Sequence, residues 1–282
     1  MRMNLSCKAA LMILCAAFTF SCTKQDIAPE STQGISQQVI DQFKAFHIDA
    51  RGATFGEVRN PLTGEIQTGY TLEGDMFISE AHFQEMLAKK EQSPNAEQYR
   101  SVNLVLGLPR VIKVLGYNGG SFALTSKMST ALQWAINNYN ALGLLITFTL
   151  DFGTDFNAYD MVVYKTSGGG AGGSAGLPNG GNPYKYIQIF AGSDNFSTNV
   201  IEHIITHEMG HCVGLVHTDW FNRSISCGSG GSSNIVAIHI PGTGMTDADP
   251  NFDYDSIMLT CFSGSVDGEF SDQDKIALDY LY

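Results

Sequence analysis

The sequence predicts a mixed α/β domain, and three observations carry that expectation. Met128–Leu142 places Leu132, Ala135 and Ile136 at helical spacing and runs straight into the continuous apolar strand Leu144–Leu150. Tyr184–Phe190 reads as a strand feeding a second helix, in which Val200, Ile201, Ile204 and Ile205 recur at helical spacing after the capping-type Ser197 and Thr198. Ser271 caps a final helix whose Ile276, Ala277, Tyr280 and Leu281 are expected to pack inward. At 282 residues and 44% hydrophobic content the chain can build one sizeable core plus an accessory segment.

Before these elements the chain reads differently. Arg2 and Lys8 precede an apolar run from Ala9 to Phe20, short for a membrane span and followed by Ser21 and Cys22. Residues 1–22 therefore read as a signal peptide similar to bacterial lipoprotein signals, with Cys22 the residue to be lipidated. Thr19 and Phe20 depart from that pattern, and ordinary secretion with cleavage nearby is the alternative. After a polar linker, Ile35, Val39, Ile40, Phe43 and Phe46 form one apolar helical stripe, and Ser79 caps a helix to Glu91 with Phe83, Met86 and Leu87 on its apolar face. Asp160–Lys165 reads as a further strand. The glycine-rich Gly168–Gly181 has the composition of a linker.

The chemistry concentrates in His207-Glu208-Met209-Gly210-His211-Cys212-Val213-Gly214-Leu215-Val216-His217. His207 and His211 lie one helical turn apart, so both imidazoles leave the same face and can bind one ion. Glu208 is rotated off that face, which suits a base beside the metal better than a ligand. Gly214 can adopt the left-handed conformation that ends the helix and returns His217 to the ion. Three neutral ligands leave a position for water, whose pKa zinc lowers to about 7, so that Glu208 can take its proton and pass it to a departing amine. The spacing implies one catalytic Zn²⁺ and a peptidase. His203 reads as an ordinary helix-face histidine.

The extended motif resembles the zinc-binding consensus of the metzincin metallopeptidases, and His-Glu-Met-Gly-His-Cys followed by Gly-Leu-Val-His-Thr-Asp-Trp is most similar to the dual-action HEIGH metallopeptidases, with Met209 in place of the isoleucine. The likeness runs from about Val102 onward and includes Gly172–Pro178 and Cys261. It implies a metzincin-like domain with a twisted mixed sheet, active-site helix, a methionine turn at Asp255-Ser256-Ile257-Met258 and a C-terminal helix, preceded by a small helix-bearing prosegment. The implied division is a prosegment over 23–105 and a catalytic domain over 106–282, with Arg100 and Arg110 as alternative activation cuts. The glycine-rich segment then includes an edge strand above the cleft, open to an extended peptide. Leu72-Glu73-Gly74-Asp75-Met76 is similar to the aspartate motif that caps zinc in astacin precursors, so Asp75 is a candidate latency ligand; a plain Gly-Asp turn is the alternative. Thr218 and Thr260 stand where astacins carry a glutamate and a zinc-binding tyrosine, and Asp219 reads as structural or as a neighbour of the ligands.

Charge and cysteines narrow the remaining classes. A net charge of -12 and a pI near 4.9, with no basic cluster, exclude a nucleic-acid surface and fit an exported protein. Asp247–Asp253 offers oxygen ligands to Ca²⁺ but lacks the spacing of a calcium loop and reads as solvated. With Cys22 lipidated, Cys212, Cys227 and Cys261 remain; Cys227 with Cys261 is the expected disulfide, and Cys212 a small buried hydrophobe. The expected partners are protein or peptide substrates, with no obligate protein partner, at a bacterial cell surface, outer membrane or outside the cell. A non-catalytic surface protein retaining zinc and a zinc exopeptidase are the two alternatives.

Overall fold

The computed structural model describes residues 33–46, 48–92, 103–231, 240–244, 249–250 and 252–282. The expected signal segment 1–22 with Cys22 and the candidate cut site Arg100 lie outside the described residues, as do parts of Asp247–Asp253. Residues 31–282 cluster as one unit.

The N-terminal part is a sheet as well as helices. β1 (Gln33–Gly34), β2 (Thr54–Arg59), β3 (Ile66–Leu72) and β4 (Met76–Ser79) form an antiparallel sheet in chain order, with α1 (Gln37–Lys44) and α2 (Glu80–Gln92). The apolar stripe read from the sequence does what it should: Phe43 and Phe46 are buried with Phe83, Met86, Leu72 and Ile78 in one cluster. Phe43 stacks on Phe83 at 4.2 Å between ring centroids, and Tyr70 meets both rings edge-on. Sequence periodicity misses these strands because charges and glycines interrupt them. Gly69 is one such interruption with a steric cause: a Cβ there would stand 2.5 Å from the Ile78 carbonyl oxygen of the paired strand.

From Asn103 onward a second sheet takes over. β5 (Arg110–Tyr117), β6 (Ile146–Gly153), β7 (Met161–Lys165), β8 (Gly173–Ser174) and β9 (Tyr186–Ile189) lie in the order β6-β5-β7-β9-β8, all parallel except β8, which runs antiparallel to β9. Helices α3 (Ser126–Ala141) and α4 (Thr198–Val213) share a core with this sheet, including Ile112, Leu132, Tyr139, Ile187 and Ile201. The Tyr139 hydroxyl donates to the Thr206 carbonyl at 3.0 Å and ties α3 to α4. Two short elements complete the chain: α5 (Ser224–Cys227) and α6 (Asp272–Leu281).

Two expectations change, and one strand is new. The strand after α3 is not buried on both faces: β6 is a sheet edge, and Ile146 and Phe148 face the core while Thr147 and Thr149 are exposed. Strand β5, at the centre of the order, was not read from the sequence at all; Val111 on it is exposed and Lys113 interrupts its apolar run. On α6 the inward face is Asp274, Leu278 and Leu281, whereas Ile276 and Tyr280 are 41% and 42% exposed. Asp274 occupies the inward face because it closes a capping box with Ser271.

The two sheets meet beside β8. Phe77 donates its N–H to the Ala175 carbonyl at 2.7 Å, and Ala175 donates to the Asp75 carbonyl at 2.9 Å, in a parallel bridge of Met76 with Ala175. The edge expected to be open is therefore taken by the chain's own residues 75–77. Among the described residues no helix is long and apolar enough to cross a membrane.

Candidate metal centre

Helix α4 carries the site, and local sequence fixes both its ends. The Ser197 hydroxyl accepts the Val200 N–H, and Gly214 ends the helix at φ 109°, a left-handed conformation natural to glycine. From Val200 to Val213 every residue of α4 is buried. The turn at Gly214 brings His217 back so that the rings of His207, His211 and His217 lie 4.7–5.1 Å apart. One ligand atom from each histidine and one from Asp75 fall within 4.8 Å of one another.

Each ring is oriented through its Nδ1. His207 donates to the Ile257 carbonyl at 2.8 Å, His211 to the Leu215 carbonyl at 2.9 Å, and His217 to the carboxylate of Glu73. That leaves every Nε2 free to face the common point, the arrangement that metal-binding histidines require. Two ligand atoms on one tetrahedral zinc with bonds of 2.0–2.1 Å lie roughly 3.3 Å apart; His207 Nε2 and His217 Nε2 are 3.2 Å apart. Asp75 Oδ2 stands 3.1 Å from His217 Nε2 and 3.6 Å from His207 Nε2. The buried His211 Nε2 and Asp75 Oδ1 have no hydrogen-bond partner. This donor set, three imidazoles and a carboxylate around one point, fits a zinc ion.

Electrostatics separate the histidines. Burial, reinforced by the charges of His207 and His217, holds His211 well below its ordinary pKa and thus neutral. Burial opposes charge on both Asp75 and His217, yet their mutual attraction prevails: the carboxyl is held well below the usual range and the imidazole, also beside Glu73, well above it. Glu208 is fully enclosed; burial and the nearby Asp75 charge push its pKa well above the ordinary value, and its Oε2 has no hydrogen-bond partner. Strand β8 passes directly over it, and a Cβ on Gly173 would stand 2.7 Å from Glu208 Oε1.

Beneath the rings, Met258 packs where α4 has no side chain. A Cβ on Gly210 would lie 2.5 Å from the Met258 sulfur. The Met258 turn is held by its own bonds: Thr218 N–H donates to the Met258 carbonyl at 2.8 Å, and Asp274 accepts the Ile257 N–H at 2.8 Å and the Ser256 hydroxyl at 2.7 Å. Asp219 is structural. It accepts Thr260 N–H and hydroxyl at 3.0 and 2.7 Å and the Ser226 hydroxyl, tying the chain after His217 to the segment after Met258. Cys227 and Cys261 are joined by a disulfide across the same two segments, and Cys212 is a buried thiol. His203 departs from the sequence reading. Its Nε2 is buried without a hydrogen-bond partner, its ring lies 5.3 Å from that of Phe262, and burial, aided by the His207 charge, lowers its pKa to about 3.

Four participants were not read from the sequence: Glu73, Asp49, Arg223 and Asp274. Glu73, on the turn between β3 and β4, has φ 57°, a left-handed backbone unusual for a residue with a side chain. Its carboxylate meets Arg223 Nη2 at 3.2 Å as well as His217, and Arg223 Nε lies 3.8 Å from Asp49 Oδ2. Arg51 Nη2 donates to the same Asp49 oxygen at 2.6 Å. The available signal was the acid in Leu72-Glu73-Gly74-Asp75, adjacent to a residue already suspected.

The model of the dual-action HEIGH metallopeptidase family matches residues 70–282. The match begins at Tyr70 rather than near Val102, so it includes the Glu73–Asp75 turn. No significant match exists among curated proteins. Of solved structures, one of myroilysin is 15% identical, covers 63% of this chain and 82% of its own, and superposes with a TM-score of 0.40. Metalloproteinase-II from Bacteroides fragilis is 9% identical, with 80% of this chain and 75% of that chain covered and a TM-score of 0.35.

Proposed function

Because this chain belongs to the dual-action HEIGH metallopeptidase family, we propose that it is a zinc-dependent endopeptidase of extracellular proteins, made as a latent precursor in which Asp75 closes the metal site. The observation that carries this reading is the convergence of His207, His211, His217 and Asp75 within 4.8 Å, with Asp75 supplied by a turn far from the motif.

In this reading His207, His211 and His217 hold the zinc, whose chemistry is to polarise the scissile carbonyl and make a water acidic. The chain's own residues do the rest. Glu208 sits beside the ligands without being one, as a base must, and would carry the water's proton from its carboxylate to the departing amine. Asp75 contributes latency in two ways: its carboxylate stands at the ligand point, and its charge adds to burial in raising the Glu208 pKa. The backbone of residues 75–77 covers Ala175, the position an extended substrate would pair with. Met258 supports the floor under Gly210. Export through residues 1–22, as a Cys22-anchored lipoprotein or a secreted protein, supplies the oxidising compartment in which Cys227–Cys261 persists.

The test uses the zinc-loaded full chain with an unfolded protein substrate, reading new termini by mass spectrometry. Asp75→Ala is expected to produce internal cuts that a chelator stops, faster than wild type. Adding Glu208→Ala should keep the zinc and reduce cleavage by about 10²–10⁴-fold. Unchanged cleavage removes Glu208 from its role; trimming of termini alone points to an exopeptidase; no cleavage from a zinc-loaded Asp75→Ala chain points to a binding protein.

A further inference from the structure

Glu208 apart, the acids of the cleft come from one part of the chain and its histidines and Arg223 from the other. Asp49, Glu73 and Asp75 precede Asn103, whereas the three histidines and Arg223 follow it. Arg223 lines the same cavity as His207, Glu208 and the aromatic walls Phe190, Phe196 and Phe262. Its side chain is 17% exposed, and among the described residues both carboxylates paired with it, Glu73 and Asp49, belong to the N-terminal half. Glu73 itself is 2% exposed, and its carboxylate lies between the Arg223 guanidinium and the His217 Nδ1–H. The His217 Nδ1–H and the Arg223 guanidinium, whose Nη2 pairs with Glu73 at 3.2 Å by charge without a hydrogen bond, converge on one buried carboxylate and form an acid-binding pocket. The left-handed backbone of Glu73 supports the same view: that position suits glycine, and the side chain present there is the one that fills the pocket.

The partly buried Arg223 guanidinium has its charge balanced by these two carboxylates at ion-pair distance. If the N-terminal half vacates the cleft, Arg223 loses both at once and stands open to another anion. We propose that Arg223 is the carboxylate receptor of the cleft, filled in cis by Glu73 and, in substrates, by an Asp or Glu side chain close to the cleaved bond. The separation of Glu73 from Asp75 places that acid within two residues of the group at the metal. This rests on the peptidase reading and deepens it by naming the substrate class: acidic peptides.

Two readouts test it on the zinc-loaded full chain. The first is independent of activity: amide hydrogen exchange over Leu72–Ser79 in Glu73→Gln, Arg223→Gln and the double variant. Each single variant should exchange roughly ten- to a hundredfold faster, the loss expected when one partner of a buried charge pair is removed. The double variant should exchange no faster than Glu73→Gln alone, and Arg223→Lys should keep part of the protection. The second readout is the cleavage profile of a peptide library in a Glu73→Gln/Asp75→Ala background, with Arg223 or with Arg223→Glu. Acidic residues should be enriched about tenfold near the cut with Arg223, and that preference should vanish or reverse with Arg223→Glu. Unchanged exchange overturns the receptor itself. Cleavage with no acidic preference overturns the substrate assignment while leaving the peptidase reading standing; no cleavage at all overturns the peptidase reading and the substrate assignment with it.

Discussion

Replacing Gly210 by alanine sets two effects against each other at the centre of the site. In an isolated helix interior the change would stabilise by roughly 1 kcal/mol, because glycine is the poorer helix former. Here the new methyl would stand 2.5 Å from the Met258 sulfur. Met258 is 2% exposed, and its backbone is pinned by the Thr218 N–H to its carbonyl and by its own N–H to the Ser256 hydroxyl at 3.1 Å. The side chain must therefore leave its rotamer, an overpacking cost of about 1–3 kcal/mol. The clash wins, with a net loss of about 1 kcal/mol. Met258→Ala alone should cost about 2–5 kcal/mol as a core truncation. In the double variant the alanine methyl at 210 has room and fills part of the hole, so the pair should be more stable than the sum of the singles by at least about 1 kcal/mol. Urea denaturation with chelator present measures all four corners of the cycle without the metal's contribution. Additivity within about 0.5 kcal/mol, or a stabilising Gly210→Ala, would refute the contact as the reason for glycine at this position.

Other expectations follow from single residues. Asp274→Asn offers one oxygen where Ile257 N–H, Ser271 N–H and the Ser256 hydroxyl now donate to two; it should cost roughly 1–3 kcal/mol and, by loosening the Ile257 carbonyl that orients His207, weaken zinc about 10–100-fold in chelator competition. Glu202 has a pKa raised from 4.5 to about 7 by burial and by the charge of Glu269. A raised carboxyl binds more protons folded than unfolded, so its contribution to stability falls as pH rises from 4.5 to about 7. Glu202→Gln keeps the bond from Asn138 and should raise the Tm at pH 8 but not at pH 4; an equal shift at both would show that charge is not the cause. Replacing Cys227 and Cys261 together by serine opens a bridge between residues separated by 34 in sequence and should cost about 4 kcal/mol, read by denaturation under oxidising conditions.

How legible the site was depended on distance along the chain. His207, His211 and His217 could be read because helix geometry and the Gly214 turn convert sequence spacing directly into position. Asp75 was suggested by a motif, yet nothing local says that it reaches the histidines; that depends on the Met76–Ala175 bridge between two sheets. Asp49 and Arg223 were invisible, and Glu73 was marked only by its place beside Asp75, because each is an ordinary surface residue by type, enclosed only when distant segments meet. The fold shows the same division. Helices α1 to α4 were legible from apolar periodicity, whereas β2 and β3 were not: half-exposed strands broken by Gly56, Glu57 and Gly69 carry no clean alternation. On α6 the apolar periodicity misled, because a capping acid, Asp274, takes the inward position and rotates Ile276 and Tyr280 outward.

The three Nδ1 partners show how unequal the ligands are. His211 is oriented by Leu215, only a turn away on its own segment, so its geometry is set as soon as α4 ends at Gly214. His207 depends on Ile257, and through it on Asp274 of the last helix, so it is fixed only when the C-terminus has docked. His217 depends on Glu73, which the N-terminal half supplies. The same half places Asp75 at the ligand point and Asp49 beside Arg223. In the proposed function, latency and ligand orientation are thus two consequences of one turn: the contact that would block the site also holds its third histidine. Whatever relieves the block must leave His217 with another acceptor for its Nδ1–H, and a substrate carboxylate arriving at Arg223 would stand where that acceptor is needed.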